Sequence, residues 1–165
     1  MWVDGDAYER FMGRWSRLLA PLFVDWLDPP AGLRWVDLGC GTGALSTAVL
    51  ERAEPATVLG IEPSPGFLAT AAATITDARA SFRPGSTEQL DPGSSDVVVS
   101  GLVLNFLPDA DAALAAMTAA AAGGTVAAYV WDYAGGHPML SRFWEVAGRL
   151  TDEAVGQSEV SRFAL

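Results

Sequence analysis

The chain has 165 residues, half of them hydrophobic, a normal size for one domain with a sizeable core. Ten basic residues, all Arg, stand against 20 acidic ones, and the formal net charge of −10 argues against a nucleic-acid or anionic-membrane partner, because both are held by clustered Lys and Arg. The single cysteine, Cys40, permits no disulfide within the chain, and the start MWVDGDAYER has neither a basic nor an apolar leader region, so the cytoplasm is the expected compartment.

In chain order, Tyr8 to Leu27 reads as an amphipathic helix. Phe11, Trp15, Leu18, Leu19, Leu22 and Phe23 fall near helical spacing, and Pro21 predicts a kink or a split into two short helices. The breaker run from Asp28 to Gly32 ends it. Leu33 to Leu38 reads as a buried strand, Ala44 to Arg52 as a helix, and Ala56 to Ile61 as a second strand. Pro63-Ser64-Pro65 opens a helix running to about Ile75, and Ala80 to Arg83 is a weak third strand. After the turn-rich GSTEQLDPGSS, the β-branched run DVVVSG is a strand. Pro108-Asp109 starts an Ala-rich helix that stops at Gly123-Gly124. Its stretch Ala110 to Ala122 is too short and too weakly apolar to span a bilayer. Thr125 to Trp131 is a fifth strand, and HPMLSRFWEVAGRL a further helix. This alternation predicts an α/β, Rossmann-like, doubly wound, mostly parallel sheet in a three-layer α/β/α arrangement, with ligands at the strands' C-terminal ends. The expected divisions are a helical lid over residues 1–30, a ligand-binding core over 31–135, and the start of a helical substrate-side segment over 136–165.

The chemistry concentrates in VDLGCGTG. Gly39, Gly41 and Gly43 alternate where the first strand turns into the first core helix, so a ligand can approach the backbone there and meet a helix N-terminus. Asp37 stands just before them, able to organise the turn or attract an ammonium group. Glu62 ends the second strand about 20 residues on, the spacing of an acid that binds ribose hydroxyls. Together they describe a pocket for an adenosine-type ribose joined to an amino-acid-like zwitterion.

WVDLGCGTGALS resembles the first motif of the class I S-adenosylmethionine-dependent methyltransferases, and more narrowly the small-molecule branch related to the ubiquinone and menaquinone C-methyltransferases. GIEPSPGFL, SSDVVVSGLVLNFLPD, AAAAGGTVAAYVW and YERFMGRWSRLLA resemble its second-strand, fourth-strand, fifth-strand and N-terminal-helix motifs, so the likeness runs from Tyr8 to about Trp144. The resemblance implies S-adenosyl-L-methionine as cofactor, S-adenosyl-L-homocysteine as product, and methyl transfer to an O, N or C atom of a small-molecule acceptor. It implies that Gly39, Cys40, Gly41, Gly43 and Asp37 surround the methionine part, that Glu62 takes the ribose, and that Pro63 and Ser64 flank the ribose or adenine. Backbone groups near Gly101 and Leu102 line the sulfonium side, and Arg14 and Trp15 form a lid wall. One position departs from the pattern. Ser86 stands where members carry an Asp that accepts from the adenine amino group, leaving Thr87 or Glu88 to compensate. The family's sheet has seven strands and five are legible here, so a bare fifth strand would be an aggregation-prone edge, and a second copy covering it would give a homodimer.

Cys40 between glycines reads as a packing residue with no histidine to activate it. His137, the only histidine, follows the fifth strand on the ligand side and is the candidate general base. One His and one Cys make no usual zinc shell, so no metal is expected. Trp131, Tyr133, Phe143 and Trp144 form a late aromatic group suited to a substrate pocket or to packing. Three rival readings remain, and one of them, a nucleic-acid methyltransferase, is disfavoured by the charge and by NFLPD in place of an Asn/Asp-Pro-Pro-Tyr or Phe motif after the fourth strand. A non-catalytic cofactor-binding module would fit the short chain. A nicotinamide-dependent oxidoreductase is disfavoured by GxGxG spacing and by the absence of Lys.

Overall fold

The computed structural model describes residues 13–133, 135, 137–154 and 156–163. The described elements are α1 (Arg14–Leu27), β1 (Arg34–Leu38), α2 (Ala44–Arg52), β2 (Thr57–Glu62), α3 (Pro65–Thr74), β3 (Ala80–Pro84), β4 (Val97–Gly101), α4 (Ala110–Ala121), β5 (Thr125–Tyr129), α5 (Pro138–Leu150) and α6 (Glu159–Phe163). Tyr8 to Met12, where the first helix was expected to begin, lies outside the described residues. From Arg14 onward α1 is one unbroken helix with Pro21 inside it. β5 stops at Tyr129, two residues before the expected end.

All five strands run parallel in the order β3-β2-β1-β4-β5, so their C-terminal ends share one edge. β1 lies at the centre, with Asp37 opposite Gly60 of β2 and Val99 of β4. A central parallel strand is covered on both faces, which is why WVDL and VVV are almost continuously apolar. Trp35, Val97 and Val99 face one cluster with Phe23 and Val24 of α1 and Leu45, Ala48 and Val49 of α2. Val36, Leu38 and Val98 face the other, with Ala113, Met117 and Ala120 of α4. Two helices begin on side-chain caps: Ser64 accepts from the Phe67 N–H with Pro65 in the first turn, and Asp109 accepts from the Ala112 N–H. At the opposite edge of the sheet, the Asp96 carboxylate accepts from the Arg34 N–H and from its guanidinium at 2.8–3.1 Å, tying β4 to β1.

The face that α1 buries differs from the expected one. Ser16, Ala20, Phe23 and Val24 pack inward, while Trp15, Leu18, Leu19 and Leu22 are exposed. RWSRLLAPLFVDWL keeps Arg14, Arg17, Pro21 and Asp25 on one flank and is apolar over the rest, and the small Ser16 and Ala20 let α1 approach α2 closely where bulkier side chains would hold it off. No described helix is long and apolar enough to cross a membrane.

Candidate functional site

The glycine turn sits at the C-terminal edge of β1, between the ends of β2 and β4. Gly39, Gly41 and Gly43 have φ of +72°, +56° and +92°, the left-handed region that glycine enters without strain. Their surroundings differ. A Cβ on Gly39 would stand 2.6 Å from the Val103 side chain, whereas one on Gly41 would meet nothing within 4 Å. Gly41 therefore presents bare backbone to open space. The turn holds its shape through its own amides: Gly39 and Cys40 N–H both donate to the Ile61 carbonyl (2.8 and 3.1 Å), and Gly43 N–H to the Cys40 carbonyl (2.9 Å).

Two carboxylates flank this turn. Glu62 is buried, and each oxygen accepts one backbone N–H, from Gly41 at 3.1 Å and from Ser64 at 2.8 Å. Burial raises its pKa, and these two bonds partly oppose the rise. Asp37 is 1% exposed. One of its oxygens accepts from the Ser46 hydroxyl at 2.7 Å, and the other, Oδ1, is buried with no donor. Burial pushes the Asp37 pKa up from 3.8 to about 7, against the Ser46 hydrogen bonds and with a smaller contribution from the Glu62 charge. An orphaned buried acceptor costs about 1–3 kcal/mol, and a donor or a cation arriving there recovers it. Ser46 was missed in the sequence, although its place in the first turn of α2 aims it back at β1.

Cys40 is buried, and its thiol packs toward Gly60 and Phe82. Burial and the neighbouring carboxylates Asp37 and Glu62 raise its pKa, so it stays a thiol. Pro63 lies between Glu62 and the capping residue Ser64. Ser86 and Thr87 open a 3-10 turn after β3; Ser86 N–H donates to Gln89 Oε1 at 2.6 Å, and the Ser86 hydroxyl donates to the Glu88 carboxylate. That bond lowers the Glu88 pKa, so a charged acid stands two residues beyond Ser86. At the end of β4, Leu102 has φ of +63°, a left-handed conformation that costs a branched residue about 1–3 kcal/mol, and its N–H donates to the Tyr129 carbonyl at 2.7 Å. The Tyr129 ring lies over Gly101, where a Cβ would stand 2.6 Å from its hydroxyl, and also packs on Phe23 of α1 at 4.8 Å.

Beyond β4 and β5 lies an aromatic group. Trp131 and Tyr133 each stand 5.5 Å from the His137 ring, and Phe163 packs on Phe106 (5.1 Å) and Tyr133 (6.2 Å). Asn105, which sequence reasoning did not single out, pins this group. It is buried, its amide donates to the Trp131 and Phe163 carbonyls, and its oxygen accepts from the Trp131 N–H. Phe143 and Trp144 instead pack on each other in α5. On α1, the Arg14 guanidinium lies 4.6 Å over the exposed Trp15 ring, while Arg17 and Pro21 line a cleft of about 500 Å³ with Thr42, Gly43, Thr47 and Thr70.

Comparison with known proteins adds an independent line. The family model described as "Methyltransferase domain" matches residues 36–127. A trans-aconitate 2-methyltransferase of Deinococcus radiodurans is 41% identical over 75 residues, 45% of this chain and 28% of that protein. A ubiquinone biosynthesis O-methyltransferase of Pseudomonas aeruginosa is 33% identical over 95 residues, 54% of this chain and 41% of that protein. The chain thus spans well under half the length of these curated relatives. Among solved structures, a phosphoethanolamine N-methyltransferase 2 of Haemonchus contortus, in complex with phosphomonomethylethanolamine and S-adenosylhomocysteine, shares the fold. It has a TM-score of 0.68 at 24% identity, over 88% of this chain and 37% of that one. A protein of Methanococcus maripaludis matches 99% of this chain and 82% of its own, with a TM-score of 0.64 at 18% identity.

Proposed function

Since the chain belongs to the methyltransferase-domain family, the class I S-adenosylmethionine-dependent methyltransferases, we propose that it carries a methyl group from S-adenosylmethionine to a small-molecule acceptor. The observation that carries the reading is the pair of buried carboxylates flanking the open backbone of Gly41, one of them with an orphaned oxygen. A site built this way suits a ligand that is cationic at one end and carries a ribose at the other.

Glu62 takes the ribose: each oxygen already accepts one N–H and has a lone pair left for a hydroxyl. Asp37 Oδ1 is the acceptor for the ammonium of the methionine part. The bare backbone of Gly41 lets that part approach. The Ser86–Glu88 pair supplies the acidic acceptor for the adenine amino group, two residues later than in the family pattern. Gly101 and Leu102 line the methyl-donor side. When bound, S-adenosylmethionine supplies a methyl group activated on a sulfonium, so the protein's main task is alignment, which is worth up to about 7–11 kcal/mol in favourable cases.

On this proposal the acceptor side is formed by Trp131, Tyr133 and His137, whose rings cluster, and His137 is the base for an acceptor that must lose a proton. In this reading residues 1–30 form the outer helical cover, residues 31–135 the cofactor core and residues 136–165 the start of the acceptor side. The test is transfer of labelled methyl from S-adenosylmethionine into the small-molecule fraction of a cell extract, and then into hydroxy, amino and carboxylate acceptors separately. Label is expected in one acceptor class, with matching release of S-adenosylhomocysteine. No label anywhere, with S-adenosylhomocysteine binding intact, would refute the transfer.

A further inference from the structure

The outward face of α1 has no function in the site described above. Trp15, Leu18, Leu22 and Trp26 form one stripe at helical spacing and are 46%, 62%, 65% and 74% exposed, with Leu19 beside them. The two tryptophans alone expose roughly 300 Å² at ~250 Å² for a whole ring, and the leucines take the patch beyond what a soluble monomer ordinarily leaves in water. The helix beneath is fixed, because Ala20 and Val24 are buried against the core and Phe23 packs on Tyr129.

The stripe is symmetric about its middle. Trp15 and Trp26 stand three turns apart with Leu19 and Leu22 between them. Arg14 and Asp25 are separated by the same three turns and lie on one flank of the stripe. The helix is thus basic at its N-terminal end, with Arg14 and Arg17, and acidic at its C-terminal end, with Asp25 and Asp28. We propose that α1 is a dimerisation surface, on which a second copy of the chain docks its own α1 antiparallel about a twofold axis near Pro21. Trp15 of each copy then meets Trp26 of the other, Leu19 meets Leu22, and each basic end meets an acidic end. Such self-complementarity is what an isologous interface requires.

Both Asp25 oxygens accept from the Arg52 guanidinium, at 3.3 and 3.0 Å, so the incoming Arg14 would join an existing pair at the flank, and the apolar side chains carry most of the contact. The expectation from sequence put a second copy on the β5 edge; the exposed apolar side chains favour α1. The other outward stripe, Met139, Phe143, Val146 and Leu150 of α5, lacks this pattern. Its Arg142 and Arg149 both pair with Glu145 of the same helix, so its ends are not of opposite sign. A helix pair of this size buries on the order of 1,000 Å² in total, at the small end of specific interfaces.

Sedimentation velocity on the whole chain between about 1 and 100 μM tests this. The expected result is a monomer–dimer equilibrium that Leu18→Glu and Leu22→Glu each weaken at least about tenfold, with unchanged thermal unfolding at concentrations where the chain is monomeric, because both side chains are exposed there. Orientation is read by mild oxidation of variants with one added cysteine, the native Cys40 being buried. Leu22→Cys lies beside the axis and should form a disulfide dimer. Trp26→Cys should not, its two copies being about 16 Å apart along the helix axis at ~1.5 Å per residue. A wild-type chain that stays monomeric throughout overturns the proposal, as does a dimer unaffected by both glutamates. Cross-linking of Trp26→Cys in place of Leu22→Cys overturns the antiparallel arrangement. Sedimentation of a monomeric chain with lipid vesicles assigns the face to a membrane and overturns it as well.

Discussion

Asp37 makes the free protein less stable than its fold allows, and Asp37→Asn exposes this. The carboxyl titrates at 3.8 in an open chain and at about 7 in the fold, because burial penalises its charge. A raised carboxyl pKa means that the folded state binds its proton more tightly than the unfolded state. Stability is therefore intact below pH ~4, falls as pH rises from there to about 7, and stays low above it. Three pKa steps at ~1.36 kcal/mol each set an upper bound of about 4 kcal/mol on the loss at pH 8. The asparagine never charges. It can still accept from Ser46, but it leaves an amide donor where Oδ1 now lies, at about 1–3 kcal/mol. The net expectation is a variant about 1–3 kcal/mol more stable than wild type at pH 8, and equal or less stable at pH 4.5. Denaturant unfolding of both proteins at the two pH values measures it. The distant acids titrate alike in both chains and cancel in the difference, and Glu62, whose charge makes the smaller contribution to the Asp37 shift, leaves a correspondingly small coupled remainder. Equal stabilities at pH 8, or a difference independent of pH, would refute a buried, charge-penalised Asp37. The same variant should bind S-adenosylhomocysteine more weakly, as a site that trades stability for ligand binding requires.

Two further substitutions separate the turn from the scaffold. Gly41→Ala places a Cβ in open space at φ +56°, so unfolding should lose only about 1–2 kcal/mol while calorimetric affinity for S-adenosylhomocysteine falls at least tenfold; unchanged affinity would show that no ligand approaches there. Asp96→Asn removes a carboxylate held at about 2 chiefly by its hydrogen bonds to Arg34. The stability it contributes is present above pH ~4 and lost as pH falls toward 2, so wild type and variant should differ at pH 6 and converge near pH 2 in acid unfolding followed by circular dichroism. A constant difference across that range would contradict the assignment.

Much of this was legible in the chain because its signals are local. VDLGCGTG and GIEPSP each combine a buried strand, a breaker and an acid within a few residues, and parallel pairing then sets Asp37 and Glu62 on either side of one turn. DVVVSG declared itself through β-branching. The face of α1 was not legible, since its apolar side is wide enough to offer two stripes, and the small Ser16 and Ala20 decided which of them packs. Asn105 and Tyr129 were missed for another reason. Their roles depend on contacts with Trp131, Phe163, Gly101 and Phe23, made across the fold by residues with no motif of their own. Ser86 stands where the resemblance expects an acid, and its hydroxyl donates to Glu88, one of the two residues the sequence offered in compensation.

The most direct measurement is isothermal titration calorimetry of S-adenosylhomocysteine and, separately, NADH into the wild-type chain and into Glu62→Ala. Binding of S-adenosylhomocysteine alone, lost or weakened at least about a hundredfold when both acceptor oxygens of Glu62 are removed, is the predicted result. Binding of NADH without S-adenosylhomocysteine, or wild-type affinity in Glu62→Ala, would contradict the central claim.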